Sequence, residues 1–378
     1  MAYEKHDWEC GEVVSEELLN HIERGIADMN ESYVPTVWES GDIVTADKLN
    51  KIENGIANGG GNCSYDAFIE RTISAISNST AQIVGSFAFY RCNQLESVEF
   101  TNASIIYDAA FSTCNNLVTA NFPNASVITG YAFADCYSLA SISFPNASVI
   151  LRDAFCSCYA LTTADFPNAT ILGDEVFRYC NHLTTANFPS LTMIGSNAFN
   201  ACAELTTLSF PNVSIINYQA FIFCYSLSSI YFPSASLACS SAFAKCSSLT
   251  SINCPILSNI QDHVFNGCLA LTTVYLPSAS IFGTYVFSAC TSLTTASFPN
   301  AIYFGSSTFM GCTSFESLYL LGSSVAAMGL DVFKSTPMSA SSYLGHFGSI
   351  YVPASLVAEY QAKSNWSAYS ARITAYTE

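Results

Sequence analysis

Cysteine is the residue type whose number and spacing in this chain could most readily support chemistry. Of the sixteen cysteines, eleven recur every 22 residues. Zinc sites favour close pairs such as C-x-x-C, and the nearest approach to one is Cys156-x-Cys158. We therefore predict no metal and interpret the periodic cysteines as small buried apolar residues, with disulfides between some neighbouring repeats as the alternative. The eleven are Cys92, Cys114, Cys136, Cys158, Cys180, Cys202, Cys224, Cys246, Cys268, Cys290 and Cys312.

Other catalytic patterns are missing from the sequence. The five histidines share no spacing, and no H-E-x-x-H, G-x-S-x-G or phosphate-binding glycine loop occurs. We predict that the protein is not an enzyme and uses no cofactor.

Charge and hydropathy narrow the range of partners. The 378 residues carry a net charge of −17 and only 11% charged residues. No basic stripe is present for nucleic acid, and an acidic chain is repelled by anionic membrane surfaces. No apolar run approaches the roughly 18 residues of a membrane span, and the acidic N-terminus lacks the apolar core of a signal peptide. We expect neither nucleic acid nor membrane as a partner, and no export by the general secretory route.

The positions around each cysteine repeat with it. A Phe stands three residues before each cysteine. A Leu stands three residues after it, except in the last copy, where Phe315 takes the place of the Leu. A small or aliphatic residue follows, and then usually a Phe and a Pro. Such a period predicts a solenoid with continuous internal ladders. In two adjacent repeats the ladder positions are Phe177, Cys180, Leu183, Phe188, Phe199, Cys202, Leu205 and Phe210.

Each repeat contains the elements of one coil. The stretch from Leu183 to Phe188 has the form L-x-x-L-x-L, which is the strand signature of a leucine-rich repeat. Pro189 ends the strand, a second apolar pair follows at Met193-Ile194, and Gly195 permits a turn. We predict an α/β-type solenoid: a right-handed leucine-rich repeat array of eleven 22-residue coils, from about residue 84 to 320, with a parallel β-sheet on one face.

The repeated sequence pattern F-x-x-C-x-x-L-x-x-a-x-F-P, where a is a small or aliphatic residue, resembles the leucine-rich repeats of BspA-type proteins. These proteins are cell-surface adhesins of bacteria and some parasitic protists. Residues 349–376 resemble the C-terminal cap that commonly closes such arrays. The resemblance covers about residues 84–376 and implies a binding scaffold. Residues 321–378 are accordingly predicted to be the cap.

The N-terminus carries a different repeat. "WECGEVVSEELLNHIERGIA" (residues 8–27) matches "WESGDIVTADKLNKIENGIA" (residues 38–57) at an offset of 30. Each copy predicts a short capped amphipathic helix. The segment is similar to N-terminal segments of phage tail-fibre and baseplate-associated proteins. We predict that residues 1–57 serve attachment or oligomerisation, as a trimer or through other virion proteins, and that residues 58–83 form a linker and N-terminal cap.

Function should then reside on the outward side chains of the predicted strands. The position seven residues after each cysteine becomes tyrosine-rich toward the C-terminal end, which suits contact with protein or glycan, although strand preference alone could place tyrosines there. The leading hypothesis is a non-enzymatic virion protein of a phage tail that binds a bacterial surface. The alternatives are a surface or secreted adhesin of a gut bacterium, exported by some route other than a signal peptide, and a structural spacer. The candidate ligand-binding residues are Asp165, Asn187, Tyr231, Asn253, Tyr275 and Tyr319.

Overall fold

The computed structural model describes residues 74–339 and 347–377. These residues form a parallel β-solenoid, so the predicted leucine-rich repeat array is confirmed. The paired helical repeat predicted for residues 1–57, and most of the predicted linker, lie outside the described residues.

The first sheet contains the predicted strands, one in each coil. Eleven strands follow the ladder cysteines, and one strand before them and two after them extend the array. All pairings are parallel, and the sheet is divided into four hydrogen-bonded groups. Its strands are Ala75–Asn78, Ser97–Phe100, Thr119–Asn121, Ser141–Ser143, Thr163–Asp165, Thr185–Asn187, Thr207–Ser209, Ser229–Tyr231, Ser251–Asn253, Thr273–Tyr275, Thr295–Ser297, Ser317–Tyr319, Ser349–Val352 and Ile373–Ala375.

A second parallel sheet, built from two-residue strands, adds to the single sheet predicted from the sequence. It forms where the second apolar pair of each coil lies, and it consists of two groups of six strands. In every strand the first residue faces outward and the second is buried; for example, Met193 is exposed and Ile194 is buried. The strands are Ile83–Val84, Ile105–Ile106, Val127–Ile128, Val149–Ile150, Ile171–Leu172, Met193–Ile194, Ile215–Ile216, Leu237–Ala238, Asn259–Ile260, Ile281–Phe282, Tyr303–Phe304 and Ala327–Met328.

The core is a set of ladders that run the length of the array. All eight ladder residues named above from two adjacent coils have no exposed surface. The phenylalanines that precede the ladder cysteines, Phe89 to Phe309, stack on one another from coil to coil, and Phe333 continues the stack. Successive ring centroids lie 5.0–5.8 Å apart and the ring planes are inclined by 2–16°. Offset stacking of this kind adds to the free energy gained by burying each ring.

The wall between the second sheet and each cysteine uses left-handed backbone. Each coil has two positive-φ residues four positions apart, such as Phe87 (φ 58°) and Arg91 (φ 60°). Only two of these positions are glycine, Gly267 and Gly311. The conformation is unfavourable for side-chain-bearing residues. It also aims alternate N–H groups at the next coil, as in the 2.7 Å bond from Phe89 N to the Ala110 carbonyl oxygen, and these bonds offset that cost.

The turns after the first-sheet strands are joined by side-chain amides. Asn124 Nδ2 donates to the Thr101 carbonyl oxygen at 2.7 Å, and Asn146 Nδ2 donates to that of Pro123 at 2.8 Å. Serine hydroxyls replace the amide in other coils, as at Ser190, which donates to the Pro167 carbonyl oxygen. This contact explains why the turn favours Asn and Ser.

The ladder cysteines have a specific polar contact as well as their small size. In ten consecutive coils the thiol donates to the carbonyl oxygen of the ladder phenylalanine in the preceding coil, at S···O distances of 2.9–3.4 Å. Cys202, for example, donates to Phe177. A thiol is therefore favoured over alanine because it both fills the site and supplies a donor.

These thiols are expected to be unreactive in the folded protein. The fourteen cysteines of the described residues all have free thiols. The ladder thiols from Cys114 to Cys312 have no exposed surface, and burial raises the pKa of Cys158 and Cys246 well above the usual range. Because the thiolate is the reactive species, iodoacetamide should modify half-buried Cys239 well before the ladder, which should react only after denaturation. Thiol counting in denaturant should change little when reductant is added. A majority of ladder cysteines recovered as disulfides would contradict this prediction.

A C-terminal cap covers the last coil. It comprises a 3₁₀ turn at Ala354–Leu356, an α-helix at Val357–Ala362 and a 3₁₀ segment at Ser367–Arg372. Trp366 is fully buried, and its ring nitrogen donates to the Ala326 carbonyl oxygen at 2.8 Å. The Ala326 N–H donates to the Tyr360 hydroxyl. The cap thus satisfies backbone groups that would otherwise end the array unpaired.

Candidate binding surface

The outward side chains of the first sheet form three rows that run across the coils. They occupy the positions four, five and seven residues after each ladder cysteine, and we call them rows A, B and C. Rows B and C both face outward because side chains alternate along a strand, and the residue between these two rows points into the core. In the strand Thr207–Ser209, Leu208 is buried while the residues on either side are exposed.

Row A contributes to the framework. Five of its seven Ser and Thr hydroxyls donate to the carbonyl oxygen of the same position in the preceding coil. Thr184 donates to Thr162 at 3.0 Å, and Thr250 donates to Ser228 at 3.1 Å. These hydroxyls stabilise the stacking of coils and have less capacity left for a ligand.

Row B differs from row A because its hydroxyls remain available for hydrogen bonds to a ligand. It consists of Ser or Thr in every strand from Ser97 to Ser317. Parallel pairing aligns these residues coil by coil, for example Thr185 with Thr163 and Ser229 with Thr207. Within the described residues their hydroxyls make no hydrogen bond to the chain. Row B therefore offers a donor and acceptor at each strand spacing of about 4.8 Å.

Row C contains the six residues proposed as ligand-binding, and its character changes along the array. Toward the N-terminal end acids and amides bind each other: Asn187 Nδ2 donates to Asp165 Oδ1 at 2.7 Å, and Asn121 Nδ2 donates to Glu99 Oε1 at 3.0 Å. These pairs satisfy part of one another's hydrogen-bonding capacity. They make this end polar rather than strongly charged.

Toward the C-terminal end row C becomes aromatic. Tyr231 is 42% exposed and Tyr275 is 64% exposed. Asn253 lies beside Tyr231 in the strand register. Tyr319 is half-buried, because its ring stacks on Tyr351 at 4.7 Å and meets Tyr376 edge-on at 5.9 Å. The three predicted tyrosines therefore divide into two exposed rings and one ring held in an aromatic cluster.

Sequence reasoning missed two members of that cluster, Tyr351 and Tyr376. A signal was available for the first, because Ser349-Ile-Tyr351-Val-Pro repeats the phrase Ser229-Ile-Tyr231-Phe-Pro. The structure pairs Tyr351 with Tyr319 in the same sheet. Tyr376 follows the last strand and has no counterpart in the repeat.

The part of the chain that the structure covers contains neither a metal-binding cluster nor a membrane-spanning helix. No group of three or more His, Cys, Asp or Glu residues there is arranged to hold a metal ion. Within the same residues, no helix is both long and apolar enough to cross a bilayer.

The repeat array matches a known protein family. The model of the BspA-type leucine-rich repeat region matches residues 62–184, 148–256 and 237–339, which together exceed half of the chain. The chain belongs to the BspA-type leucine-rich repeat family. No curated protein matches the sequence significantly.

The BspA-type array is similar to solved structures of bacterial leucine-rich repeat proteins. A leucine-rich repeat protein from Bacteroides ovatus is 22% identical with a TM-score of 0.57, and the match covers 83% of this chain and 87% of that one. A leucine-rich cell surface protein from Faecalibacterium prausnitzii is also 22% identical, with a TM-score of 0.34 and coverage of 68% and 84%. The first match supports the solenoid fold.

Proposed function

We propose that this BspA-type protein is a non-enzymatic surface or secreted adhesin of a gut bacterium, and that it binds a protein or glycan through rows B and C of its first sheet. The observation that carries the proposal is the alignment of free hydroxyls and exposed tyrosines along the array. Membership of the BspA-type family supports a role as a binding scaffold, since BspA-type proteins are cell-surface adhesins.

The chemistry of the face favours a neutral, repetitive ligand. Row B supplies hydroxyls that can donate to and accept from sugar hydroxyls or backbone amides. Tyr231 and Tyr275 supply amphipathic rings two coils apart, a spacing of about 10 Å. Each contact is weak, and repetition along a polymer or cell wall lets such contacts act together.

The tail-fibre hypothesis has narrower support. It depends on residues 1–57, which lie outside the described residues and outside the matched residues 62–339. The features that support the adhesin lie within the repeat array itself. The virion location therefore remains a prediction from the N-terminal resemblance.

Replacing Tyr231 and Tyr275 by serine tests the proposed surface. Loss of about 1 kcal/mol per aromatic contact should weaken binding at least tenfold, measured as adhesion of purified protein to a panel of gut bacteria, epithelial cells and purified cell-wall glycan. The melting temperature should change little because both rings are exposed.

The matched control replaces two exposed tyrosines outside the sheet, Tyr137 and Tyr159, which stack on each other at 5.1 Å. This variant should adhere like the parent. If the two double variants lose adhesion equally, or if only the control does, the binding surface is not the first sheet. A parent that adheres to nothing in the panel would favour a structural spacer.

A further inference from the structure

The outward face of the second sheet carries a long row of large apolar side chains. In each of the first eight strands, the outward residue is Ile, Val, Met or Leu, and the row continues with Ile and Tyr after one interruption by Asn259. Met193 is 54% exposed and Ile215 is 43% exposed. We call this row the apolar ridge; its members are Ile83, Ile105, Val127, Val149, Ile171, Met193, Ile215, Leu237, Ile281 and Tyr303.

The ridge stands between two rows of mostly smaller residues, which also contain Tyr107, Leu151, Gln261 and Ile302. On one side are Ser and Thr residues whose hydroxyls already donate to the carbonyl oxygen of the preceding coil, such as Thr192 to Thr170 at 3.0 Å and Ser148 to Ser126 at 3.1 Å. On the other side the row includes Gly173 and Gly195. From residue 104 to residue 305, neither row contains Asp, Glu, Lys or Arg. Around Met193 the ridge is thus an apolar row between two uncharged grooves lined by small residues.

The size of this surface lies at the upper end of what a monomer usually exposes. Eleven coils at about 4.8 Å give a length of about 50 Å, and a width of about 12 Å gives an area of roughly 600 Å². With the flanking rows included, it approaches the about 800 Å² per partner of a stable interface.

We infer that a second copy of this chain packs against the apolar ridge. An antiparallel arrangement about a two-fold axis near Met193 places ridge residues of each copy in the grooves of the other. Regularly spaced apolar side chains on two parallel sheets interdigitate in this way, as they do between the paired sheets of a steric zipper. A partner with the same repeat has the spacing that matches the ridge over its whole length.

The short helices predicted from residues 1–57 are a less suitable occupant. A helix of about ten residues spans about 15 Å, so two of them would cover little more than half of the ridge. That segment also carries 13 of the 29 acidic residues of the chain, whereas the ridge and its grooves offer no positive charge. The dimer is independent of the proposed ligand face, which lies on the first sheet.

The test replaces Met193 and Ile215 by lysine in the full chain. Parent protein should sediment as a dimer at micromolar concentration, and the lysine variant should be monomeric, with at least a 100-fold weaker self-association, because buried unpaired charges face each other near the axis. Circular dichroism and the melting temperature should show that the variant is folded.

Two controls make the outcome specific. Lysine at Thr185 and Thr207, which are exposed on the first sheet of the same two coils, should leave the dimer intact. Conservative replacement of Met193 by Leu and Ile215 by Val should also leave it intact. A monomeric parent, or a Met193→Lys/Ile215→Lys variant with the parent's oligomeric state, would overturn the inference.

Discussion

Replacing Phe199 by alanine is expected to lower the free energy of unfolding by about 3–5 kcal/mol. The ring is fully buried and stacks between Phe177 at 5.4 Å and Phe221 at 5.3 Å. Its removal therefore leaves a cavity and breaks the aromatic ladder in the middle of the array. In a repeat protein each coil is stabilised by its neighbours, so the loss affects both sides of the cavity. Urea denaturation followed by circular dichroism measures the change.

Phe223 provides the matched control for this substitution. It lies in the next coil and is 37% exposed, so Phe223→Ala should cost less than about 1 kcal/mol. If Phe199→Ala and Phe223→Ala unfolded at the same urea concentration, the assignment of the phenylalanine ladder to the core would be wrong.

Replacing Gly195 by alanine should destabilise the solenoid by about 3 kcal/mol or more, at the upper end of overpacking effects. A Cβ at this position would clash with the carbonyl carbon and the carbonyl oxygen of Gly173. Both contacts are with backbone, so no side chain can rotate away, and the two coils must separate locally. Thermal and urea denaturation of the variant measure this cost.

Gly130 is the comparison for the glycine prediction. An added Cβ there meets nothing closer than the Arg152 carbonyl oxygen at 3.4 Å. Gly130→Ala should therefore be close to neutral. Equal stability of Gly195→Ala and the parent would show that the coils do not approach as closely at this turn as the structure indicates.

The core ladders could be predicted from the sequence because the period places the same residue type at the same site in every coil. Phe188 and Leu205 follow directly from it. The left-handed wall could not be predicted, since positions such as Phe87 and Ala109 adopt positive φ without being glycine. Their conformation is imposed by hydrogen bonds to the next coil, which appear only when coils are stacked.

The candidate surfaces were predictable in part. Alternation within the strand correctly places Tyr231 and Tyr275 outward, while the half-burial of Tyr319 depends on contacts with the C-terminal cap. The apolar ridge could not be predicted, because the sequence of an adjacent pair such as Met193-Ile194 does not show which of the two residues faces the core. Only the direction of the chain around the coil decides it.

Hydroxyl-radical footprinting, with and without a cell-wall glycan or cell surface that the protein binds, tests the proposed binding face most directly. Tyr231, Tyr275, Tyr137 and Tyr159 are all exposed, so each can report on its own surface. We expect the ligand to protect Tyr231 and Tyr275 from oxidation while Tyr137 and Tyr159 remain as reactive as in the free protein. Protection of Tyr137 and Tyr159 with unchanged oxidation of Tyr231 and Tyr275 would contradict the proposal that the first sheet is the binding surface.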